Sequence, residues 1–120
     1  MVAVRAALIL ALLATTAAAA PAPPPTTCGR GDPYSKALCA YQRRNFAEAE
    51  AGFRTIVEAD AKDPQTVRAT YFLARTLMKT GHYDDAAKLF IRIYSLDKSF
   101  YDAWSCDYLL GECRKASGKD

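Results

Sequence analysis

The sequence overlays on itself at a shift of 37 residues, and that period constrains the fold more tightly than any other feature. Phe46 falls on Tyr83, Glu48 on Asp85, Ala49 on Ala86, Phe53 on Phe90, Ile56 on Ile93 and Asp60 on Asp97. A second step lays Leu73 on Leu110, Ala74 on Gly111, Thr80 on Ser117 and Gly81 on Gly118. In the central copy, residues 68–97, Thr70, Leu73, Ala74 and Leu77 recur at i, i+3, i+4 and i+7, which puts them on one helix face. After Thr80, Gly81 and His82 the rhythm returns at Tyr83, Ala86, Ala87, Phe90, Ile93 and Leu96 or Asp97. Gly81 lies between the two patterns, where a helix ends on a left-handed residue that glycine adopts at least cost. The unit is a helical hairpin. A lone hairpin cannot bury its apolar face, so the copies are expected to stack.

Start and stop signals set the boundaries. Asp32 followed by Pro33 reads as an N-cap with proline at the first helical position, opening a helix to about Arg43. Asn45 and Glu48 have capping-box spacing for a second helix, to about Asp60, with Phe46, Ala49, Phe53 and Ile56 inward. Asp63 and Pro64 open the central hairpin. A fifth helix is expected from the turn at Lys98 and Ser99 to about Ala116, with Gly118 as its stop. Residues 32–118 thus predict an all-α stack of antiparallel hairpins closed by an unpaired helix, whose Asp102, Asp107, Glu112, Arg114 and Lys115 give it a polar, capping side.

What precedes the stack is of another kind. Residues 1–20 carry Arg5, an apolar run over 6–14 and a small-residue tail, the pattern of a secretory signal peptide with cleavage near Ala17, Ala18 and Ala19. The apolar run falls short of the roughly 20 residues that span a bilayer, so no stable membrane span is expected after cleavage. Retention of the segment as an anchor stays open. Residues 21–31 are proline-rich, then glycine-rich, and read as a tether. The expected destination is the periplasm or the exterior. The whole chain has a net charge of +3, and loss of Arg5 with the leader leaves about +2. Charges that balanced do not predict nucleic-acid binding.

Four cysteines, Cys28, Cys39, Cys106 and Cys113, follow the leader, and an even count in an exported chain suggests disulfides, with three connectivities. On one helix, Cys106 and Cys113 would sit about 10.5 Å apart, beyond the roughly 4.4 to 6.8 Å that a disulfide spans. Their alternative role is to fill buried space. Cys28, in the tether, is the available partner for Cys39. Neither CxxC spacing nor a histidine pair is present, so no metal site is expected.

The hairpin pattern resembles the tetratricopeptide repeat, on Leu73, Ala74, Leu77, Gly81, Tyr83, Ala86, Phe90, Ile93, Leu96 and Asp97. The first unit departs at Arg44, which stands where the turn glycine belongs. The period exceeds the family's usual 34 by three residues, added at Ala61, Lys62 and Asp63 and again at Lys98, Ser99 and Phe100. Sel1-like repeats come second, because their glycine-valine turn signature is absent. The resemblance implies a concave groove lined by the first helix of each unit. Tyr34, Tyr71 and Tyr108 occupy the same slot one period apart, joined on that face by Leu38, Tyr41, Gln42, Arg68, Arg75, Met78, Lys79, Glu112 and Lys115. Tyrosine pairs an apolar body with a polar tip, and Arg68 and Arg75 can contact carboxylates, a set suited to an extended or helical peptide. Packing between helices is the competing role for the tyrosines. Members that clamp a C-terminal dicarboxylate use lysine and asparagine at the slots held here by Tyr34 and Leu38, so that ligand is not expected.

Nothing in the sequence points to catalysis. There is no nucleophile elbow, phosphate loop or zinc-helix motif. His82 lies in a turn, and Asp84 and Asp85 begin a helix, where negative charge offsets the dipole. The sequence therefore predicts an exported, non-enzymatic module without cofactors that binds a protein or peptide in its groove. One alternative is a structural subunit of an envelope complex that docks by its helix ends or convex side. The other is a thiol redox protein using Cys28 and Cys39.

Overall fold

Most of the helices start on a side-chain cap. The computed structural model describes residues 28–29, 31–59 and 63–119. The leader at 1–20, most of the tether, and Asp60, Ala61 and Lys62 lie outside them. The helices are α1 (Pro33–Gln42), α2 (Phe46–Ala59), α3 (Pro64–Lys79), α4 (Tyr83–Leu96), α5 (Lys98–Ala103) and α6 (Cys106–Ala116). Asp32 caps α1 by accepting from the Ser35 amide at 2.7 Å, and Asp63 caps α3 by accepting from Gln65 at 2.8 Å, each ahead of a proline. At α2, Asn45 Oδ1 accepts from the Glu48 amide at 3.4 Å while Asn45 Nδ2 donates to Glu48 Oε2 at 2.7 Å. Glu48 takes the side-chain amide because the Asn45 backbone N–H already donates to Ala40 O, 2.9 Å away.

The helix ends repeat as the period requires. Arg44, Gly81 and Gly118, one period apart, all have positive φ, at 63°, 83° and 74°. At each, the next residue's amide reaches back across the turn: Asn45 to Ala40, His82 to Leu77 and Lys119 to Arg114, at 2.9, 2.8 and 2.8 Å. Arg44 therefore does the glycine's job in spite of its Cβ, a conformation that costs about 1 kcal/mol for a non-glycine residue.

Consecutive helices pack antiparallel, α1 on α2, α2 on α3 and α3 on α4, and α6 then packs on α4. The core is periodic too. Ala49 and Ala86, and Phe53 and Phe90, are wholly buried matched pairs, and Ala37, Ala74, Leu73, Leu77, Ile93 and Leu110 join them. Small residues let the helices approach and the large ones fill the space beside them. The buried hydroxyls of Thr70 and Thr76 are satisfied by the carbonyls of Thr66 and Phe72, both at 2.7 Å.

One expectation needs correcting. The helix expected from Lys98 to Ala116 is two helices, separated by Trp104 and by Ser105 in the left-handed conformation with φ 54°. The break lets two demands be met. Phe100 and Trp104, stacked at 4.6 Å, lie against Tyr71 at 5.9 and 5.0 Å, while Cys106, Leu109, Leu110 and Cys113 bury against the stack. The cost appears on α4. Tyr94 matches the buried Val57, yet with no straight helix to cover it remains 51% exposed and meets Tyr101 edge-on.

Two glycines test this reading in opposite directions. Gly81→Ala should destabilise by about 1 kcal/mol, because alanine is strained at positive φ, which lowers Tm by about 4–8 °C in a domain of this size. Gly111→Ala, in the interior of α6 with open space around its Cα, should raise stability by about 0.5–1 kcal/mol. Thermal unfolding followed by circular dichroism reads both.

Candidate functional site

The structure gathers many of the expected groove residues into two neighbouring groups, with Gln42, Tyr108 and Lys115 in neither. The first is aromatic. Tyr34 and Tyr41 of α1 meet Phe72 of α3 at 6.3 and 5.6 Å, and Leu38 is half-buried beside the same core. Phe72 also stacks on Phe53 at 5.8 Å and meets Tyr71 and Trp104 at 5.2 and 6.3 Å. With Phe46, Phe90 and Phe100 these rings form one connected cluster running from α1 to α5. Burial pushes the Tyr34 phenol up, the charge of Arg68 opposes the shift, and Asp32 adds to it. Arg68 is thus electrostatically close to the α1 tyrosine, although its side chain is exposed.

The second group is polar. Arg75, Met78 and Lys79 of α3 line a cleft of about 420 Å³ with Tyr83 of α4 and Leu109, Glu112 and Ala116 of α6. Arg75 Nη1 donates to the Tyr71 hydroxyl at 3.2 Å, and its guanidinium carbon lies 5.9 Å from that ring's centroid. The bond ties the cleft to the aromatic group.

The three tyrosines that share a slot do not share a fate. Tyr71 is only 8% exposed and packs among four rings, Tyr34 is half-buried, and Tyr108 is 65% exposed and outside both groups. Tyr71 therefore forms the floor of the face, and the offset of α6 after Ser105 takes Tyr108 away from the rings. Two contributors have no aromatic match one period away. Phe72 matches Ser35 and Leu109 one period away, and Trp104 matches Val67.

The thiols divide cleanly. Cys28 and Cys39 form a disulfide with Cα atoms 5.7 Å apart, and Arg43 Nη1 lies 3.9 Å from Cys28 Sγ. Cys106 and Cys113 are free and wholly buried in α6. Burial pushes the Cys106 thiol up to about 11, with Asp107 adding, and raises Cys113 likewise with Glu112 adding. Neither is a nucleophile near neutral pH. His82 Nδ1 is 2.8 Å from the Thr80 hydroxyl, a local bond across the turn. Among the described residues no group of His, Cys, Asp and Glu could hold a metal ion, and no helix is long and apolar enough to cross a membrane.

A stack of antiparallel helical hairpins presenting rings and cations on its first helices defines a helical-repeat interaction module. Comparison with family models agrees: the tetratricopeptide repeat model matches residues 34–99 and again 71–118. The chain belongs to the tetratricopeptide repeat family, which is generally a non-catalytic scaffold or adaptor. Searches of the curated proteins and of the solved structures find no match.

Thiol titration tests the division of the cysteines. The native protein should show no fast-reacting thiol at pH 7.5, denaturation should release two, and denaturation with reduction four. The raised folded-state values also set a pH dependence. Above the unfolded thiol range, near pH 9, the unfolded chain holds fewer protons than the native one. The contribution of Cys106 to stability is present below about pH 9 and falls as pH rises toward 11. Cys106→Ser should flatten that part of the stability profile.

Proposed function

We propose that this protein is an exported adaptor that binds a protein or peptide along the face shared by α1, α3 and α6. The observation that carries the reading is the junction at Arg75. Its guanidinium bonds Tyr71, a buried member of the ring cluster, and also lines the cleft with Met78, Lys79 and Glu112. Residues from two successive first helices therefore act as one surface. Tyr34, Leu38, Tyr41 and Phe72 offer half-buried apolar area to a ligand, and Tyr71 fixes the floor. Export rests on the leader pattern at 1–20, and the Cys28–Cys39 bridge suits an oxidising compartment. Function by this route is rigid display, with no bond-making step.

A second reading has its own support. Ile91, Tyr94 and Leu96 are exposed large apolar residues of α4 and offer a docking surface for a structural subunit of an envelope complex.

Affinity capture from the envelope fraction separates the two. The groove reading expects wild-type protein and Ile91→Ser/Tyr94→Ser to recover the same partner, and Arg68→Ala/Arg75→Ala/Lys79→Ala to lose it, with helicity unchanged in all three. Loss with the α4 variant alone overturns the groove reading in favour of docking.

A further inference from the structure

The period that builds the stack also sorts its charge. The first helices of the two complete hairpins, α1 and α3, carry Lys36, Arg68, Arg75 and Lys79 and no carboxylate within their bounds. The second helices, α2 and α4, carry Glu48, Glu50, Glu58, Asp84 and Asp85 against Arg54, Lys88 and Arg92. The net charge of the whole chain hides this separation. Elsewhere some charges find partners, Arg54 with Glu50 at 3.0 Å, Lys98 with Asp102 at 2.9 Å and Lys119 with Asp84 at 3.2 Å, while Lys88 and Arg92 of α4 sit on a helix that also carries Asp84 and Asp85. Among the described residues, Arg68, Arg75 and Lys79 have no carboxylate within ion-pair distance. Glu112 lines the same cleft as Arg75 and Lys79 without closing on either.

The three cations share one stripe. At 100° per residue Arg68, Phe72, Arg75 and Lys79 fall within a narrow arc of α3. Along the axis Arg68 and Arg75 are separated by about 10.5 Å and Arg75 and Lys79 by about 6 Å. An extended chain covers those intervals in about three and two residues at ~3.3 Å each. Phe72 lies between the cations, at the centre of its ring cluster.

We infer that the partner of this face is an acidic peptide segment, with carboxylates set on Arg68, Arg75 and Lys79 and an apolar residue between them on Phe72 and the α1 tyrosines. This rests on the groove reading above and adds the ligand's chemistry to it. Complementary charge speeds encounter and rejects basic partners, while the rings supply contact area. Arg75 is held by Tyr71, so it loses little freedom on meeting a carboxylate.

Fluorescence anisotropy on the full chain tests the inference with four labelled probes. Three are decapeptides with the same leucine and phenylalanine positions, carrying glutamate, glutamine or lysine elsewhere, and the fourth is a ten-nucleotide oligo-dT. In about 50 mM salt the glutamate peptide should bind about tenfold more tightly than the glutamine peptide, the sum of three modest charge contacts. The gap should close toward 1 M salt, where the screening length is about 3 Å. Arg68→Gln/Arg75→Gln/Lys79→Gln should abolish the preference for glutamate, whereas Lys88→Gln/Arg92→Gln on α4 should keep it. Equal or tighter binding of the glutamine or lysine peptide overturns the acidic preference and leaves the groove standing. Tighter binding of the oligonucleotide than of the glutamate peptide overturns it in favour of a nucleic-acid ligand. If none of the four probes binds, the groove reading falls with it.

Discussion

The structure depends on the contact of Phe72 with the rings around it. Helical hairpins that merely follow one another can splay apart. Here one side chain of α3 touches two rings of α1, one of α2, its own neighbour Tyr71 and Trp104 beyond α5. Aromatic pairs of this kind contribute about 0.5–1.5 kcal/mol each beyond the area they bury. They also have preferred geometries, so the cluster fixes angle as well as distance. A short array has little else with which to set the relative position of its first helices, since each unit contacts only its neighbours.

That cluster also explains how the array ends. A regular third unit would have a straight first helix to cover the outer end of α4. The chain instead brings Phe100 and Trp104 back onto Tyr71, turns at Ser105 and resumes as α6. The exposed Tyr94, the displaced Tyr108 and the shortened α6 are consequences of that one turn. The matched turns at Arg44, Gly81 and Gly118 show the opposite behaviour, keeping the same backbone whether or not the residue favours it.

Much of this could be read from the sequence because it is periodic. The hairpins, the caps at Asp32 and Asp63, the matched core residues Ala49, Ala86, Phe53 and Phe90, and the left-handed turns each follow from a local rule repeated at one interval. The parts that could not be read are those that break the period. Phe72 and Trp104 each occur once, and their partners are distant in sequence, so no spacing announces them. The same limit applies to the face on α1 and α3. Period identified the slot holding Tyr34, Tyr71 and Tyr108, but burial within that slot differs from unit to unit and depends on what lies above it. The break at Ser105 falls among residues with ordinary helix signals, and only the pull of the rings on Phe100 and Trp104 gives it a cause.

The central claim is that the ring-bearing face of the first helices both holds the stack together and receives a ligand. Photo-crosslinking in the producing cell tests it most directly, with a benzophenone side chain at Gln42 or Lys79 on the first helices, or at Lys88 or Arg92 on α4. All four positions are exposed, so the substitution leaves the core intact. The account predicts a discrete crosslinked product from Gln42 and Lys79 and none from Lys88 and Arg92. Crosslinks confined to Lys88 and Arg92 would contradict it.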